Sequence, residues 1–226
     1  MRLGDEIRKL IPVDSSEEPV TKKPIPTTLT LTLGATPQHF TLLGLGVRQV
    51  TFLNVSVYTI GYYISTPSIA RLRSSPSFKS YTPATLSDFT APLTRDTSTP
   101  LALRISPVRN TDGPHLRNGF MRILTRQLAA EDAMLTPEEK KGVLEAMDEL
   151  RAAFPAGKVA KGEVFVFVKT EGGELRMVHE GVEKTVVRNR WVAERFFEGY
   201  LLDGKKVISE KLRKSIAEGL EHIIKA

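Results

Sequence analysis

The sequence predicts an α+β domain in which helices pack on one face of a β-sheet. Three observations predict this class: strand-like alternation dominates residues 28–64, apolar residues recur at helix spacing over 115–154 and 189–223, and a hairpin pattern occupies 164–179. Strands, then helices, a hairpin and more helices are typical of a sheet whose helices lie on one side.

The N-terminal part is predicted to be a flexible segment over residues 1–26, with the domain itself spanning 27–226. Residues 1–12 have the pattern of a short amphipathic helix. Residues 13–26 are rich in Pro, Ser, Glu and Lys, a composition that buries little apolar surface. We therefore expect little fixed structure before residue 27.

Strands are expected first in the domain. Alternating threonine and leucine predict a strand over residues 28–33, and β-branched and aromatic residues predict others over 40–43, 49–53 and 55–64, with a turn at Asn54.

The segment over residues 65–99 contains many serines, threonines and prolines. A short helix or turn is expected at residues 68–72, followed by a long surface loop. Loops of this length inside a compact domain are usually functional or mobile.

The remaining chain is mainly helical. Thr136, Pro137 and Glu139 form a clear helix start, since they combine a capping box with a proline in the first turn. The expected elements are a strand over 101–107, helices over 115–129, 136–154, 189–201 and from Ser209 onward, and a hairpin formed by 164–168 and 175–179.

Composition excludes several classes of site. The chain has no cysteine, which excludes disulfides, thiolate metal sites and a cysteine nucleophile. Its net charge is +6, yet aromatic residues are not interleaved with the basic ones as a nucleic-acid platform requires. No apolar run is long enough to span a bilayer, and no secretory signal is present, so a targeting segment is expected upstream of Met1 if one exists.

Three stretches, taken in order, resemble the chalcone isomerase family. They are residues 44–48 continuing through Phe52 to 57–63, residues 103–112 followed by 115–120, and residues 200–209 followed by 213–217. Together they cover roughly residues 28–224 in the family's order, and the second is similar to the fungal mitochondrial members, the altered-inheritance-of-mitochondria proteins. The resemblance implies an open β-sandwich, with a large curved antiparallel sheet and a helical layer on one face.

The family's catalytic positions are mostly changed in this chain. An arginine after a Gly-Val pair binds the substrate phenolate in the family, and Arg48 occupies that position. The family's threonine aligns with Tyr58, its tyrosine with His115, its asparagine near Arg122 and its late polar residue near Leu201. Losing one oxyanion donor costs about a hundredfold in rate or more. Chalcone isomerase activity is therefore not expected, and no catalytic residue is assigned.

The resemblance to the fungal branch implies that haem b is bound in the former isomerase cleft. Without cysteine, an iron ligand has to be His, Met or Tyr. His115 aligns with a cleft position of the enzymes, and Gly119 one turn later leaves room for a flat ring, so His115 is the preferred axial ligand. The expected haem site comprises His115, Arg48, Tyr58 and Arg122, with Arg48 pairing with a propionate.

Other interpretations stay open. The chain could be an active isomerase with rearranged donors, a fatty-acid carrier in which Arg48 holds the carboxylate, or a scaffold without a ligand. Arg48 could equally be structural, and His115 a helix cap. The resemblance also implies a mitochondrial location, with inner-membrane association through a segment absent from this chain, a flat or anionic small-molecule partner and no nucleic acid.

Overall fold

The computed structural model describes residues 14–34, 36–50, 55–204 and 207–226. The strands are β1 (Ser15–Glu17), β2 (Pro24–Pro26), β3 (Thr28–Leu33), β4 (Thr36–Val50), β5 (Val55–Ser65), β6 (Leu101–Pro107), β7 (Thr111–Asp112), β8 (Lys158–Val159), β9 (Phe165–Lys169), β10 (Leu175–His179) and β11 (Val182–Val187). The helices are α1 (Thr66–Ser74), α2 (Leu86–Thr94), α3 (Gly113–Glu131), α4 (Pro137–Ala152), α5 (Arg190–Glu198) and α6 (Glu210–Lys225). The helix expected at residues 1–12 and the turn expected at Asn54 lie outside the described residues.

Seven strands form one curled antiparallel sheet in the order β11-β10-β9-β6-β5-β4-β3. In β3 the threonines are exposed while the leucines are half-buried or buried, because successive side chains of a strand point to opposite faces. The two longest strands, β4 and β5, pair along most of their length. The expected class, a curved antiparallel sheet with helices, is confirmed.

The sheet separates two apolar cores of unequal size. The larger core lies between the sheet and the helices and contains Phe120, Phe167 and Phe196, whose rings contact one another. The smaller core lies on the opposite face, around Phe40 and Tyr63. Among the described residues, no helix is both long and apolar enough to cross a membrane.

Residues 14–26 depart from the expected flexible segment. They form the antiparallel pair β1–β2, and Ile25 is buried in the smaller core. The Tyr63 hydroxyl donates to the carbonyl of Pro26 at 2.8 Å, which ties this hairpin to β5. One buried isoleucine within a polar segment is a weak sequence pattern, so composition alone did not predict the hairpin.

The expected long loop within residues 65–99 is also wrong. This segment contains α1, two 3₁₀ turns (Pro76–Ser80 and Pro83–Thr85) and α2. Phe78, Tyr81 and Leu86 are buried in the larger core, so the segment is packed rather than exposed. Three of the prolines that suggested a loop, Pro67, Pro76 and Pro83, stand at the first positions of helical turns, where proline is tolerated. Pro92 lies inside α2.

The helix starts predicted at Thr136 and Ser209 are confirmed. Thr136 and Glu139 cap each other reciprocally at the start of α4, and the Ser209 hydroxyl accepts a hydrogen bond from the Leu212 amide at 3.3 Å. These caps satisfy amides that would otherwise lack an intrahelical partner.

Close packing of α6 on β4 requires glycine on both elements. A Cβ at Gly219 would overlap the carbonyl oxygen of Leu43, and one at Gly44 would overlap the backbone of Ile216. The sheet and helix backbones therefore approach directly, which fixes β4 and the side chains at its end.

Candidate functional site

A cleft of about 160 Å³ opens between the end of β4, the middle of α3 and the chain after α5. Its described walls include Arg48, Gly119, Arg122, Arg126, Leu202 and Ile208. Pockets that enclose a whole drug-sized ligand usually measure roughly 300–1,000 Å³. The cleft therefore suits one end of a ligand rather than a complete one.

Arg48 is half-buried, and its guanidinium contacts the phenol of Tyr58 on the side away from the cleft. It pairs with Tyr58 in the β4–β5 ladder, next to a register shift after Arg48. Its Nη1 donates to the Tyr58 hydroxyl at 3.2 Å, and its guanidinium carbon lies 5.8 Å from the centre of the Tyr58 ring. Tyr58, and to a smaller extent Tyr200, raise the pKa of Arg48, although burial acts in the opposite direction. Arg48 is therefore charged throughout the physiological pH range.

Tyr58 lies beneath the cleft rather than on its wall. Its side chain is buried, and its ring stacks on Phe120 with 5.7 Å between centroids. It contacts Arg48, so it can act on a ligand only through the guanidinium.

The α3 side of the cleft is cationic and open. A Cβ built on Gly119 would lie 4.0 Å from Nη1 of Arg48, so glycine leaves space beside the guanidinium. Arg122 and Arg126 are exposed on the same helix. No acidic residue occurs between residues 113 and 130, and within the described chain none of these three arginines has an ion pair.

His115 does not line the described cleft. It is exposed in the first turn of α3, where its backbone amide donates to the Asp112 carboxylate at 2.6 Å. It precedes Gly119 by four residues and Arg122 by seven, so the three lie along one stripe of the helix. The structure thus brings Arg48, Tyr58 and Arg122 together, and places His115 further along the same helix face.

The residues that would hold a haem lie in the cleft and on the exposed face of α3 beside it. Arg48, Arg122 and Arg126 have the charge to pair with propionates. His115 lies about 10 Å from Arg122 along the helix axis, because seven residues separate them at about 1.5 Å each. The cleft alone is too small for the ring. The described residues contain no cluster of three or more His, Cys, Asp or Glu side chains for a metal ion.

The positions that carry donors in the isomerases are occupied differently here. Thr59, next to Tyr58 on β5, is buried, and its hydroxyl donates to the Ser106 carbonyl at 3.3 Å. Leu201 is apolar and buried, and Arg122 is exposed. The amide of Gln127 donates to the Arg195 carbonyl at 2.6 Å. The cleft is therefore richer in positive charge than in free neutral donors.

Sequence reasoning missed Tyr200 as part of this region. Tyr200 is almost completely buried, and its hydroxyl makes no hydrogen bond of standard geometry with a described residue, although Tyr58 is a hydrogen-bonding neighbour that, after burial, helps to raise the pKa of Tyr200. Gly199 makes its approach possible, because a Cβ there would overlap Ile123 of α3. Tyr200 is the first residue of the third stretch that resembles the family, and this was the signal in the sequence that could have identified it.

Comparison with known proteins places the chain in a family. The pattern of the family described as chalcone isomerase like matches residues 38–217. The altered inheritance of mitochondria protein 18, mitochondrial, of Debaryomyces hansenii is 35% identical over 202 residues, which cover 80% of this chain and 66% of that protein. The protein of the same name from Vanderwaltozyma polyspora is 26% identical, with 98% of this chain and 75% of that protein covered.

The fold is shared with a solved plant protein. The crystal structure of a fatty-acid binding protein of Arabidopsis thaliana superposes with a TM-score of 0.69 at 16% identity, covering 94% of this chain and 100% of that one. At this identity the likeness concerns the fold alone. The match to the family pattern spans most of the chain, and the chain belongs to the chalcone isomerase-like family.

Proposed function

We propose that the protein is a non-catalytic binding protein that holds the carboxylate end of an amphipathic ligand in the Arg48 cleft. The observation that carries the proposal is the set of three arginines around one cleft with no described carboxylate to neutralise them. A guanidinium matches a carboxylate with two parallel hydrogen bonds. Partial burial of Arg48 strengthens that attraction, because the effective dielectric falls away from water.

Apolar residues complete the site. The chain after α5 contributes Leu202, Val207 and Ile208 to the lining of the cleft. A ligand whose carboxylate meets Arg48 can pack an apolar body against them, which adds roughly 25 cal/mol for each Å² of apolar surface removed from water.

Haem b is the first candidate ligand. It carries two propionates, and the cleft offers Arg48, Arg122 and Arg126, more positive charge than one carboxylate needs. His115 stands on the same helix stripe as Gly119 and Arg122, so an iron ligand and propionate partners share one face. When bound, haem would supply a redox-active iron; the residues of this chain would bind and orient it.

A fatty acid is the second candidate. It would use Arg48 alone for its carboxylate, and the similarly folded Arabidopsis thaliana structure is described as a fatty-acid binding protein. The two ligands differ in one requirement, because only haem needs His115.

Equilibrium titration with haem and with palmitate tests the function. Replacing Arg48 by alanine should weaken carboxylate binding by about tenfold to a hundredfold, the value of a charged hydrogen bond. Arg188→Ala removes the same charge from a side chain that is 75% exposed and lies on another part of the surface, so it should bind like wild type. His115→Ala should abolish the haem spectrum while leaving palmitate binding unchanged. Wild-type protein that binds neither probe at micromolar concentration would refute the function.

We also propose a mitochondrial location with association to the inner membrane through a segment outside this chain. The support is the word mitochondrial in the names of the relatives. Subfractionation of mitochondria containing the full-length protein, followed by alkaline extraction, tests both parts. Recovery of the protein outside mitochondria would overturn the mitochondrial location. Release of the protein by alkali would overturn its association with the inner membrane.

A further inference from the structure

Behind Arg48 lie two buried phenols from distant parts of the chain. Tyr58 belongs to β5 and is 3% exposed, and Tyr200 follows α5 and is 1% exposed. Tyr58 stacks on Phe120, and the Tyr200 ring centroid lies 6.1 Å from that of Phe196. Aromatic packing therefore holds both rings, and their hydroxyls have little freedom to move.

The hydrogen-bonding capacity of these groups is only partly used. The Tyr58 oxygen accepts from Arg48, which leaves the Tyr58 proton free to be donated. The Tyr200 hydroxyl is fully buried and makes no hydrogen bond of standard geometry with a described residue. Gly199, the residue before Tyr200, lines the same cleft as Arg48. Burial, and after it the neighbouring Tyr58, raise the pKa of Tyr200. The Tyr200 oxygen is thus a suitable acceptor for the Tyr58 proton.

A phenol is a special choice of partner for an arginine. The buried Arg195 of this protein is surrounded by Glu131, Glu194 and Glu198, which neutralise it. Tyrosine stays neutral at physiological pH, so it can orient a guanidinium without cancelling its charge. Arg48 is therefore held in place and still able to attract an anion.

We propose that Tyr58 and Tyr200 form a buried hydroxyl pair that orients Arg48 for binding a carboxylate, which makes both of them positioning residues. The proposal rests on the proposed function and adds the residues that set its selectivity for a carboxylate over a neutral oxygen group. Neither phenol touches the ligand; both act through the direction in which the remaining N–H groups of Arg48 point.

The chain contains a matched control for this pair. Tyr62 lies on the same strand and is fully buried, and its hydroxyl also lacks a described partner. Its ring meets Phe197 edge-on, with 5.8 Å between centroids, and no contact joins it to Arg48. Tyr62→Phe therefore reproduces the loss of a buried phenol without touching the arginine.

The test compares dissociation constants for a carboxylate and its neutral analogue in each variant. The probes are palmitate with hexadecanol, and haem with its dimethyl ester; whichever pair the wild type binds is used. Tyr58→Phe should weaken carboxylate binding by roughly tenfold and Tyr200→Phe by roughly threefold. The reason is that the Arg48 guanidinium is then no longer held in the orientation in which its N–H groups point at the carboxylate. The affinity for the neutral analogue should stay unchanged in both, and Tyr62→Phe should alter neither.

The outcomes separate this inference from the function on which it rests. Equal losses for carboxylate and neutral analogue would mean that the phenols merely support the fold, and would overturn the inference. The inference would also be overturned if Tyr58→Phe and Tyr200→Phe bound the carboxylate as tightly as Tyr62→Phe does. That result would not contradict carboxylate binding at Arg48. If wild type and Arg48→Ala bind the carboxylate equally, the function fails, and the inference fails with it.

Discussion

Single residues show two opposite ways in which this protein handles buried charge. Arg195 is satisfied by carboxylates, with Nε 2.9 Å from Glu131 and Nη1 3.0 Å from Glu198. Burial favours the neutral form of Glu131, but hydrogen bonds from Arg195 and Trp191 outweigh it and lower the pKa of this carboxyl. Arg48 donates to the Tyr58 phenol and has no ion pair with a described carboxylate. Charge that is neutralised internally serves stability, whereas charge left open is available to a ligand.

Replacing Arg195 by methionine should lower the free energy of unfolding by about 3–5 kcal/mol, because it leaves buried carboxylates without a counter-charge. The Arg195 side chain is only 8% exposed. Arg188→Met, at a side chain that is 75% exposed, should change stability by less than about 0.5 kcal/mol. Urea denaturation followed by circular dichroism measures both. Equal stability of the two variants would show that the network around Arg195 contributes nothing.

Lys169 should give the protein an unusual pH dependence. Its ammonium group is buried and donates to the Asp96 carbonyl at 2.7 Å, and burial lowers the pKa of Lys169 from 10.5 to about 8. The folded state therefore releases this proton at lower pH than the unfolded chain does. The unfolded state binds more protons above pH 8, so the free energy of unfolding rises with pH in that range.

The free energy of unfolding should rise by about 1 kcal/mol for each pH unit between about pH 8 and 9.5. Lys169→Met should remove this pH dependence. The measurement stops at about pH 9.5 because burial also raises the pKa of Tyr63. Above that pH the unfolded chain loses the Tyr63 proton first, which lowers the free energy of unfolding. Denaturation midpoints at several pH values check the slope. A wild-type slope no steeper than that of Lys169→Met would refute this role.

At the scale of elements, α3 carries most of what makes the site. It begins at the Asp112 cap, which leaves His115 at the exposed first turn, and its middle places Gly119 beside Arg48. Its buried face supplies Phe120, on which Tyr58 stacks. One helix thus joins the core that holds Tyr58 to the stripe that the proposed ligand would contact.

The contact between α6 and β4 should be intolerant of a single added carbon. Gly219→Ala would drive its Cβ into the Leu43 carbonyl oxygen, which cannot move without shifting the strand. We expect a loss of about 3 kcal/mol or more in the free energy of unfolding. Gly142→Ala is the matched control in α4, where the nearest atom is the Asn189 amide nitrogen at 3.8 Å; it should gain up to about 1 kcal/mol from helix propensity. A Gly219→Ala protein as stable as wild type would contradict the close approach.

The molecule as a whole consists of one curled sheet with a large core on its helical face and a smaller core on the other. The hairpin β1–β2 contributes Ile25 to the smaller core. Both faces of the central strands are therefore covered, which explains why β5 is buried along nearly its whole length.

The sequence was sufficient for the fold class and for some of the residues that line the cleft or lie beneath it. Alternation predicted β3 and β5, whereas β4 continues through residues 44–48, between two strands that were expected separately. The resemblance carried by the Gly-Val-Arg stretch led to Arg48, which the structure places at the cleft. The helices within residues 65–99 were missed, since prolines at the starts of helical turns resemble those of loops. Tyr200 was missed because its approach to Arg48 depends on tertiary packing. His115 shows the limit of alignment, which assigns a position but not the direction of a side chain.

The central claim is that Arg48 meets the carboxylate of a ligand, and side-chain NMR of the arginine Nε–H groups tests it most directly. The Arg48 signal, assigned by its absence in Arg48→Lys, should shift saturably when palmitate or haem is added. It should stay in place with hexadecanol or the haem dimethyl ester. A carboxylate that binds without moving this signal, or a neutral analogue that moves it equally, would contradict the account.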